Sequence, residues 1–522
     1  MFKTVFIPAA GIGSRMSPLT DFTNKSLLPV AYVPAISRII DSFPKHFTFI
    51  IALGYKSDIV KQYLKLMHKN VKIKFVKINN FNKKGSGLSL TLNKSKKHLN
   101  KPFIFCPCDT IFKDKINFNT NNNTIFYNNK ISNKYRTLLT DKDNNLKKIS
   151  LNKNNNKKKY IGLAFIKDYK IFWNNKKLTK KETELGEVER INYMLNSEIK
   201  FKVKKIKYWL DIGEKNYLKK EVKFFKLNKK KLPNILLKND EFIYFYKNKV
   251  IKFSDKKDFI KDRVKRNLIL QKYVPIINAH SKNFYIYNQI KGDVLSKRIN
   301  KKNFINFLNF CKKYWNTKLS FPDYEKKNFK IKCLNFYKNK TILRVNQLIN
   351  KNPEISKIEY LGNKKIRKVS EILKKINWQS LSEGQPVNFH GDLHFENVLI
   401  NKLNKFYLLD YRQNFNKNYF LGDLYYDLAK IMHGIYINHN KIFKNKFKAK
   451  IIKKKLFIRY SMGSKYRDIL KMYENWIIKN NFDLNKVKVI TGLIFLNIAP
   501  LHHGSYKYLL FGKGVNLLNI NL

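Results

Sequence analysis

The chain has 522 residues, 43% of them hydrophobic and 14% aromatic, which is enough for two or three packed domains. Its formal net charge is +71, and the excess is almost entirely lysine, scattered along the chain among asparagines. Because nucleic-acid recognition calls for basic residues clustered on one face, this scatter favours compositional bias over a specific nucleic-acid function. Unspecific attraction to polyanions is still expected.

Three further classes of protein are disfavoured. The four cysteines fall in no zinc-spaced or disulfide pattern, and Cys106-Pro107-Cys108 simply closes an apolar run. The longest apolar stretch, residues 489–500, is too short to cross a bilayer and predicts a buried helix. The chain opens on a strand and a glycine turn, so we expect no signal peptide, no membrane insertion and a cytoplasmic location.

The first half of the chain alternates strand-like and helix-like segments, which predicts an α/β domain with a parallel sheet over residues 1–225. Asn/Lys-rich stretches at 119–124 and 151–160 are expected to be long surface loops. The predicted strands are residues 4–8, 47–53, 71–78 and 102–106, and the predicted helices are residues 35–43 and 56–69.

The composition of the chain changes near residue 226. A charged stretch with a proline predicts a linker over residues 226–239. Two strand-like runs in hairpin spacing follow, at 241–248 and 249–255, and from about residue 295 the pattern is mostly helical. We therefore predict a second, α+β domain over residues 240–522, with a small lobe at 240–294 and a helical lobe at 295–522.

The turn after the first strand predicts a phosphate site. Gly11 and Gly13 allow the chain to turn with its backbone N–H groups exposed, an arrangement that cradles phosphate. Arg15 and Lys25 follow in the same loop, and two cations there suit a triphosphate whose pyrophosphate must leave.

These residues stand in "AAGIGSRMSPLT" and "NKSLLPV", which resemble the signature AAGxGTRLxPLT…PKxLLPV of the nucleotidyltransferases that make nucleotide-activated sugars and amino alcohols. Asn24 replaces the usual proline. The resemblance covers about residues 1–225 and implies a Rossmann-like fold. It also implies that Arg15 and Lys25 are catalytic and that the nucleotide is bound by Gly11, Gly13, Ser14, Gly85 and Ser86.

The same resemblance implies a metal and a substrate site. Asp109 in "CPCDT" and Asp211 in "WLDIG" match the family's two metal aspartates, which would hold Mg²⁺ together with triphosphate oxygens. Glu187 in "GEVERINYML" matches a substrate-side segment more loosely. The implied reaction is attack of an acceptor phosphate on the α-phosphorus of CTP, UTP or another NTP.

A second motif predicts phosphoryl transfer. In "HGDLHFENVLI" Asp392 and Asn397 stand five residues apart, and Asp410 closes the next apolar run in "LLDYR". A kinase needs such a set, namely a carboxylate that orients and deprotonates a hydroxyl, and an amide and a carboxylate on Mg²⁺.

This motif resembles the aminoglycoside phosphotransferase and choline kinase superfamily, whose two-lobed protein-kinase-like fold would cover about residues 240–522. The resemblance implies that Asp392 is the catalytic base, that Asn397 and Asp410 bind Mg²⁺, and that Lys252 contacts ATP phosphates. The hairpin before Lys252 lacks glycines, no glutamate partner for Lys252 is evident, and Arg412 stands where the superfamily often has an acidic residue.

Together the two motifs predict a bifunctional enzyme that phosphorylates a small hydroxylated metabolite with ATP and then couples that phosphate to a nucleotide. The product would be an activated donor for surface glycan synthesis. Arg412 at the substrate side favours a neutral or anionic acceptor such as a sugar, whereas the family resemblance leaves choline open. Two alternatives stay open, a single-activity enzyme with one degenerate domain and a nucleic-acid-binding protein.

Overall fold

The computed structural model describes residues 2–83, 86–129, 134–150, 158–174, 186–213, 216–225, 239–316 and 328–522. The chain divides into two compact units. The first comprises Met1–Ile260 and Asn278–Tyr287, and the second comprises Lys261–Ile277 and Asn288–Leu522. Each unit has its own buried core.

The first unit is a mixed α/β structure. Its strands are β1 Thr4–Ala9, β2 Pro29–Val30, β3 Val33–Pro34, β4 Thr48–Leu53, β5 Lys72–Lys77, β6 Phe103–Phe105, β7 Thr110–Phe112, β8 Asn123–Asn128, β9 Thr137–Thr140, β10 Leu146–Ser150, β11 Lys159–Ile166, β12 Phe201–Lys205, β13 Trp209–Asp211, β14 Glu241–Tyr246, β15 Lys249–Ser254, β16 Ile277–His280 and β17 Phe284–Asn288. Its helices are α1 Ala35–Ile40, α2 Ser57–Met67, α3 Leu88–Ser95, α4 Tyr169–Phe172, α5 Glu187–Asn196 and α6 Tyr217–Phe224. Helix α7, Lys257–Leu270, begins in this unit and continues in the second.

A parallel sheet forms the centre of the first unit. The strand order runs β11-β6-β1-β4-β5, with β1 parallel to both β4 and β6 and β4 parallel to β5. The four strands predicted from apolar runs and the two predicted helices are therefore confirmed. The N-terminal half has a Rossmann-like α/β arrangement, as expected from the alternation of strands and helices.

The local sequence explains these elements. Strand β1 is buried along nearly its whole length because layers cover both faces of the sheet, so it needs apolar residues at successive positions. Helix α2 buries Ile59, Val60, Tyr63 and Leu64, which recur at helical spacing and form one face.

One predicted loop begins a strand instead. The Asn/Lys-rich stretch at 119–124 ends in β8, which starts at Asn123 and pairs with β11 and β12. Asn123 is buried because its side chain binds Asp168 and the backbone of residue 167, so this asparagine serves the fold rather than solvation. Of the second stretch, residues 151–157 lie outside the described residues.

The hairpin expected to open the second domain belongs to the first unit. Strands β14 and β15 join β17 and β16 in one sheet, and Phe242, Tyr244 and Phe253 are buried in the core that also contains Phe2. The Tyr244 hydroxyl donates a hydrogen bond to the carbonyl of Leu27 (2.8 Å). The apolar face of the hairpin is thus covered by the first unit. Residues 226–238 of the predicted linker lie outside the described residues.

The second unit is mostly helical. Its helices are α8 Leu295–Arg298, α9 Lys301–Trp315, α10 Phe329–Leu334, α11 Lys340–Lys351, α12 Val369–Lys375, α13 Trp378–Ser382, α14 Leu424–Tyr436, α15 His439–Phe443, α16 Ser464–Lys479, α17 Leu484–Ile498 and α18 Gly504–Asn521. Its short strands are β18 Gly292–Val294, β19 Tyr360–Leu361, β20 Lys364–Lys365, β21 Pro386–Val387, β22 Val398–Asn401, β23 Phe406–Leu408, β24 Gly422–Asp423, β25 Lys448–Ile452 and β26 Lys455–Arg459.

Helix α17 contains the apolar stretch predicted to be buried. It packs against α14 and α18, and its side chains from Val487 to Leu496 are largely inaccessible to solvent. The helix is longer than the apolar stretch, so Leu484–Leu501 has the length and mean hydropathy (1.3) to cross a membrane, but 61% of it is buried inside the protein. The four cysteines are free thiols.

Candidate functional site

The glycine turn after β1 is shaped by close packing. Gly13 has φ +73° and precedes a 3₁₀ turn, Ser14–Met16. A Cβ atom added to Gly13 would lie 3.3 Å from side-chain carbons of both Lys25 and Thr20, and the Thr20 hydroxyl donates to the Gly13 carbonyl (3.0 Å). Glycine is therefore required at position 13 both for its backbone conformation and for space.

Lys25 lies beneath this turn and forms an ion pair with Asp109. Its ammonium donates to the Asp109 carboxylate, and the two side chains are 11% and 27% exposed. Burial alone would lower the pKa of Lys25, but the negative charge of Asp109, with smaller contributions from Cys108 and Asp211, raises it. Lys25 is thus a positive charge at neutral pH.

A short antiparallel pair of strands brings the two predicted metal aspartates together. Asp211 lies opposite Thr110 in the pairing of β13 with β7, and the backbone N–H of Ile212 donates to the carbonyl of Asp109 (3.1 Å). The two aspartates are 102 positions apart in the chain, but both lie at the same end of this pair of strands.

The charged groups converge around Gly213. A Cβ atom built there would lie 2.9 Å from Asp211 Oδ1, 3.1 Å from Lys25 Nζ and 3.5 Å from Asp109 Oδ2. Asp211 accepts hydrogen bonds from the Gly213 N–H (2.6 Å) and from the hydroxyl of Tyr135 (2.9 Å). Two carboxylates and one ammonium therefore share a small volume next to the glycine turn.

Two of the other predicted nucleotide residues directly follow the glycine turn. Ser14 and Arg15 are exposed on the 3₁₀ turn that follows Gly13. Ser86 precedes α3, and its backbone N–H donates to the carbonyl of Lys83 (2.8 Å). Gly85 lies outside the described residues.

Glu187 occupies a buried position at the start of α5. It is 4% exposed, Arg136 lies 3.8 Å away, and within the described residues its Oε2 atom has no hydrogen-bond partner. Burial raises the pKa of Glu187 to about 7, against the opposing effect of Arg136. The preceding Gly186 (φ +70°) packs on Leu88 of α3, where a Cβ would lie 2.8 Å from Leu88 Cγ.

Asn24, which sequence analysis noted only as a departure from the family signature, supports the turn that contains Lys25. Its buried side chain donates to the carbonyls of Ala9 (3.0 Å) and Tyr55 (2.8 Å) and accepts from the N–H of Ser26 (2.9 Å). It thereby ties the end of β1, the loop after β4 and the turn of Lys25 together. An asparagine directly before a short helical turn is a capping signal that could have indicated this role.

In the second unit, one hairpin brings two predicted metal ligands together. Asn397 directly precedes β22 and Asp410 follows β23, with Val398 opposite Leu408 in the antiparallel pairing. The N–H of Leu409 donates to the carbonyl of Asn397 (2.7 Å). Both residues therefore lie at the same end of the hairpin.

Asp392 lies beside Asn397 and is surrounded by donors. The amide of Asn397 donates to Asp392 Oδ2 (3.0 Å), Lys430 Nζ lies 2.8 Å from Oδ1, and His394 Nε2 lies 3.6 Å from Oδ2. Burial opposes ionisation of Asp392, but Lys430 and His394 outweigh it and hold its pKa well below the usual range. The carboxylate is ionised at neutral pH.

Hydrogen bonds with Asp427 and His390 hold the loop that contains Asp392 in place. Asp427 accepts from the N–H groups of His390 and Gly391 (2.7 Å each). The His390 ring bonds to the carbonyl of Leu409 (2.9 Å) and accepts from the N–H of Asp392 (3.1 Å). Burial lowers the pKa of His390 to about 3, so this imidazole is neutral and its two hydrogen bonds stabilise the loop.

The other predicted residues of this motif are distributed between the units. The backbone N–H of Arg412 donates to the carbonyl of His390 (2.7 Å), and the guanidinium of Arg263 lies 3.9 Å from the carboxylate of Asp410. Lys252 lies on β15, opposite Ile243, and belongs to the first unit. Its predicted contact with ATP stays a prediction.

Comparison with known proteins finds no matching family model. The bifunctional protein GlmU of Methanococcus aeolicus is 29% identical over 217 residues, which cover 40% of this chain and 51% of the relative. The bifunctional protein GlmU of Methanococcus maripaludis is 29% identical over 111 residues, 21% of this chain and 25% of the relative. The chain thus spans about half and a quarter of these curated relatives.

Two solved structures align with a similar part of the chain. The CTP:phosphocholine cytidylyltransferase of Streptococcus pneumoniae is 21% identical with a TM-score of 0.36, covering 43% of this chain and 100% of that one. A UDP-glucose pyrophosphorylase complexed with UDP-glucose is 15% identical with a TM-score of 0.37, covering 43% and 99%. The N-terminal region of the chain resembles sugar nucleotidyltransferases.

Proposed function

We propose that the chain is a bifunctional enzyme. The first unit transfers a nucleotidyl group from an NTP, CTP or UTP foremost, to a phosphorylated metabolite, with a sugar phosphate or phosphocholine as the acceptor. The second unit makes that phosphate by phosphorylating a sugar or amino alcohol with ATP. The observation that supports nucleotidyl transfer best is the convergence of Lys25, Asp109 and Asp211 beside the glycine turn.

In the first reaction, an acceptor phosphate oxygen attacks the α-phosphorus of the NTP and pyrophosphate leaves. Exposed N–H groups of the turn at Gly11 and Gly13, the guanidinium of Arg15 and the ammonium of Lys25 would bind the triphosphate and neutralise charge that develops as the bond breaks. The buried Glu187 would face the acceptor. Gly85 and Ser86 would approach the nucleoside, as the family resemblance implies.

The donor set suits Mg²⁺. In the described parts of the chain no three His, Cys, Asp or Glu side chains cluster, so the protein would contribute the two carboxylates of Asp109 and Asp211. Mg²⁺ favours such oxygen ligands and takes the rest of its shell from water and substrate phosphates. Bound there, the ion would neutralise phosphate charge. The same argument applies to Asn397 and Asp410 in the second unit.

The kinase proposal depends on Asp392. Its ionised carboxylate is oriented by Asn397 and Lys430 and would receive the acceptor hydroxyl as its oxygen attacks the γ-phosphorus of ATP. Lys252 would contact ATP phosphates, and Arg412 would contact the acceptor. The nucleotide-activated product would serve surface glycan synthesis, and we expect a cytoplasmic protein without specific nucleic-acid partners.

A single-activity enzyme is the second candidate. The hairpin that was expected to bind ATP packs in the first unit and lacks glycines, which favours a protein that has lost phosphoryl transfer and keeps nucleotidyl transfer.

Two substitutions test the proposal. Asp392→Asn keeps size but removes the carboxylate, so ATP-dependent phosphorylation should fall by about a hundred- to ten-thousand-fold while nucleotidyl transfer to a supplied phosphorylated substrate stays normal. Asp109→Ala should have the converse effect. Products would be followed by mass with a panel of sugars, amino alcohols and NTPs. If either variant lost both half-reactions while folded, the two sites would not be independent.

A further inference from the structure

Two cations lie on one aromatic ring near the Asp392 loop. Phe336 belongs to a π-helical turn, Asn335–Asn339, between α10 and α11. The ammonium of Lys340 is 4.3 Å from the Phe336 ring centroid, and the guanidinium of Arg412 is 4.9 Å from it. Arg412 is held against the loop, because a Cβ added to Gly391 would lie only 2.6 Å from Arg412 Cβ.

A third cation comes from α14. Lys430, which pairs with Asp392, lies one turn after Tyr426 on that helix. The Tyr426 ring packs edge-on against Phe336 with centroids 4.8 Å apart, and Lys340 Nζ is 5.6 Å from its centroid. Three basic side chains therefore lie beside the Asp392 loop, two of them over aromatic rings.

The protein leaves this positive charge unbalanced. Within the described residues neither Lys340 nor Arg412 forms an ion pair with a carboxylate, and Asp392 is shared with Lys430. Burial, followed by the charges of Arg412 and Lys430, lowers the pKa of Lys340 well below its usual range, which favours its neutral form as long as no anion is bound. Compositional lysine bias fills solvated faces, so it does not account for a lysine held over two aromatic rings beside other cations.

We propose that the alcohol phosphorylated in the second unit is itself an anion, a hydroxylated compound with a carboxylate or phosphate group that binds to Lys340 and Arg412. This inference rests on the phosphoryl transfer proposed above. A bound anion would favour the protonated form of Lys340 and offset the nearby positive charges, and the guanidinium of Arg412 can donate two parallel hydrogen bonds to it. A quaternary or primary ammonium substrate would meet like charge instead.

The reaction balances in the ordinary way for a kinase. The acceptor hydroxyl oxygen forms a bond to the γ-phosphorus of ATP, the bond from that phosphorus to the bridging oxygen breaks, and ADP leaves. The hydroxyl proton passes to Asp392 and then to solvent. The anionic group takes no part in the chemistry and fixes the distance of the hydroxyl from Asp392.

A substrate panel with the unmodified protein tests the proposal. Matched pairs would be glucuronate with glucose and glycerate with glycerol, together with glycerol phosphate, choline and ethanolamine, and the readout would be ADP and phosphorylated product by mass. We expect kcat/KM for the acids to exceed that for their neutral partners by tenfold or more. Comparison of glycerate with glycerol phosphate distinguishes a carboxylate from a phosphate as the recognised group.

Charge-removing variants identify the residues responsible. Lys340→Met and Arg412→Gln should each raise KM for the preferred acid by about ten- to a hundredfold, and by far more than KM for the neutral partner, so the ratio of the two kcat/KM values falls. Arg412→Lys should restore part of the preference. Lys338→Met removes an exposed lysine from the same helical segment and should leave the ratio unchanged.

Four outcomes would contradict the inference. A preference for choline or ethanolamine would overturn it but leave the proposed kinase standing, as would a preference for neutral sugars. Full nucleotidyl transfer without phosphorylation of any alcohol would overturn the kinase proposal and this inference with it. An acid preference that survives in both charge-removing variants would show that the anion binds elsewhere.

Discussion

Glu187 is a carboxyl group whose ionisation is opposed by its surroundings. It is buried, and burial raises its pKa from 4.5 to about 7. In the unfolded chain the group loses its proton near the ordinary value, so between pH 4.5 and about 7 the folded state binds more protons than the unfolded state. Stability therefore falls as the pH rises through this window. Below pH 4.5 the group imposes no cost.

We expect Glu187→Gln to stabilise the first unit in a pH-dependent way. The glutamine is neutral throughout, so its advantage over wild type should grow from pH 4.5 to about 7 by on the order of 3 kcal/mol and then level off. Denaturant unfolding followed on both proteins at several pH values measures this difference. A difference that is constant with pH would show that Glu187 titrates normally.

Asn24 gives a second prediction at this scale. Asn24→Ala leaves the buried carbonyls of Ala9 and Tyr55 without a donor, which should cost about 1–3 kcal/mol and raise KM for the NTP because Lys25 follows directly. Unfolding midpoints and steady-state kinetics measure both effects. Asn70→Ala, at an exposed turn position, is the control and should change neither.

Sequence motifs identified the charged residues of the two sites but not the side chains that contact them from distant parts of the chain. Lys25, Asp109 and Asp211 stand in short local patterns, so their chemistry could be anticipated. Tyr135 and Lys430 stand in no such pattern, because they reach the aspartates only through long-range packing. No property of a single sequence segment encodes those contacts.

At the scale of elements, the glycine turn offers a comparison of two neighbouring glycines. Gly13 is required by the fold, because its φ is +73° and a Cβ would press on Lys25 and Thr20. Gly11 differs, since an added Cβ would meet no atom of the described residues within 4 Å and its φ lies outside the left-handed region. A ligand that approaches from outside, such as a phosphate, would account for the lack of a side chain at this position.

We therefore expect opposite results from the two alanine variants. Gly13→Ala should lose about 1–2 kcal/mol of stability, the usual cost of a left-handed conformation. Gly11→Ala should unfold like wild type yet bind NTP at least tenfold more weakly, measured by calorimetry. Normal nucleotide binding by Gly11→Ala would remove this turn from the phosphate site.

Strands β1, β4 and β6 were predictable because both of their faces are buried and they form apolar runs. Strands β8 to β10 were not, since polar residues interrupt their pattern and β9 and β10 contain exposed positions. Asn123 shows the reason, because its polarity is satisfied by Asp168 inside the fold. The composition of residues 119–124 predicts a loop, whereas tertiary hydrogen bonds of Asn123 stabilise the start of a strand.

At the scale of the whole molecule, the β14–β15 hairpin joins the unit that precedes it. Tyr244 is fully buried, bonds to the Leu27 carbonyl and packs on Tyr63 with ring centroids 6.1 Å apart. Tyr244→Ala should therefore destabilise the first unit by about 3–5 kcal/mol, although position 244 lies outside the predicted domain of residues 1–225.

Hydrogen exchange of the full chain locates this effect. In Tyr244→Ala, amides of α1 and α2 should exchange faster than in wild type, and nucleotidyl transfer should be lost on heating before phosphoryl transfer. Tyr208→Ala, at a side chain that is 51% exposed, should exchange like wild type. Faster exchange confined to the second unit would contradict the placement of the hairpin.

The interleaving of the two units along the chain also bears on inheritance. A genetic crossover at residue 225, where composition changes, would deliver the first unit without Tyr244 and without Asn283, whose side chain holds Gln62 and the carbonyl of Ser254. A crossover after residue 287 would deliver them, but only together with residues 261–277, which belong to the other unit. No single breakpoint separates the halves, so recombination should pass them on as a pair, and shuffled genes that keep one intact unit should be rare among functional recombinants.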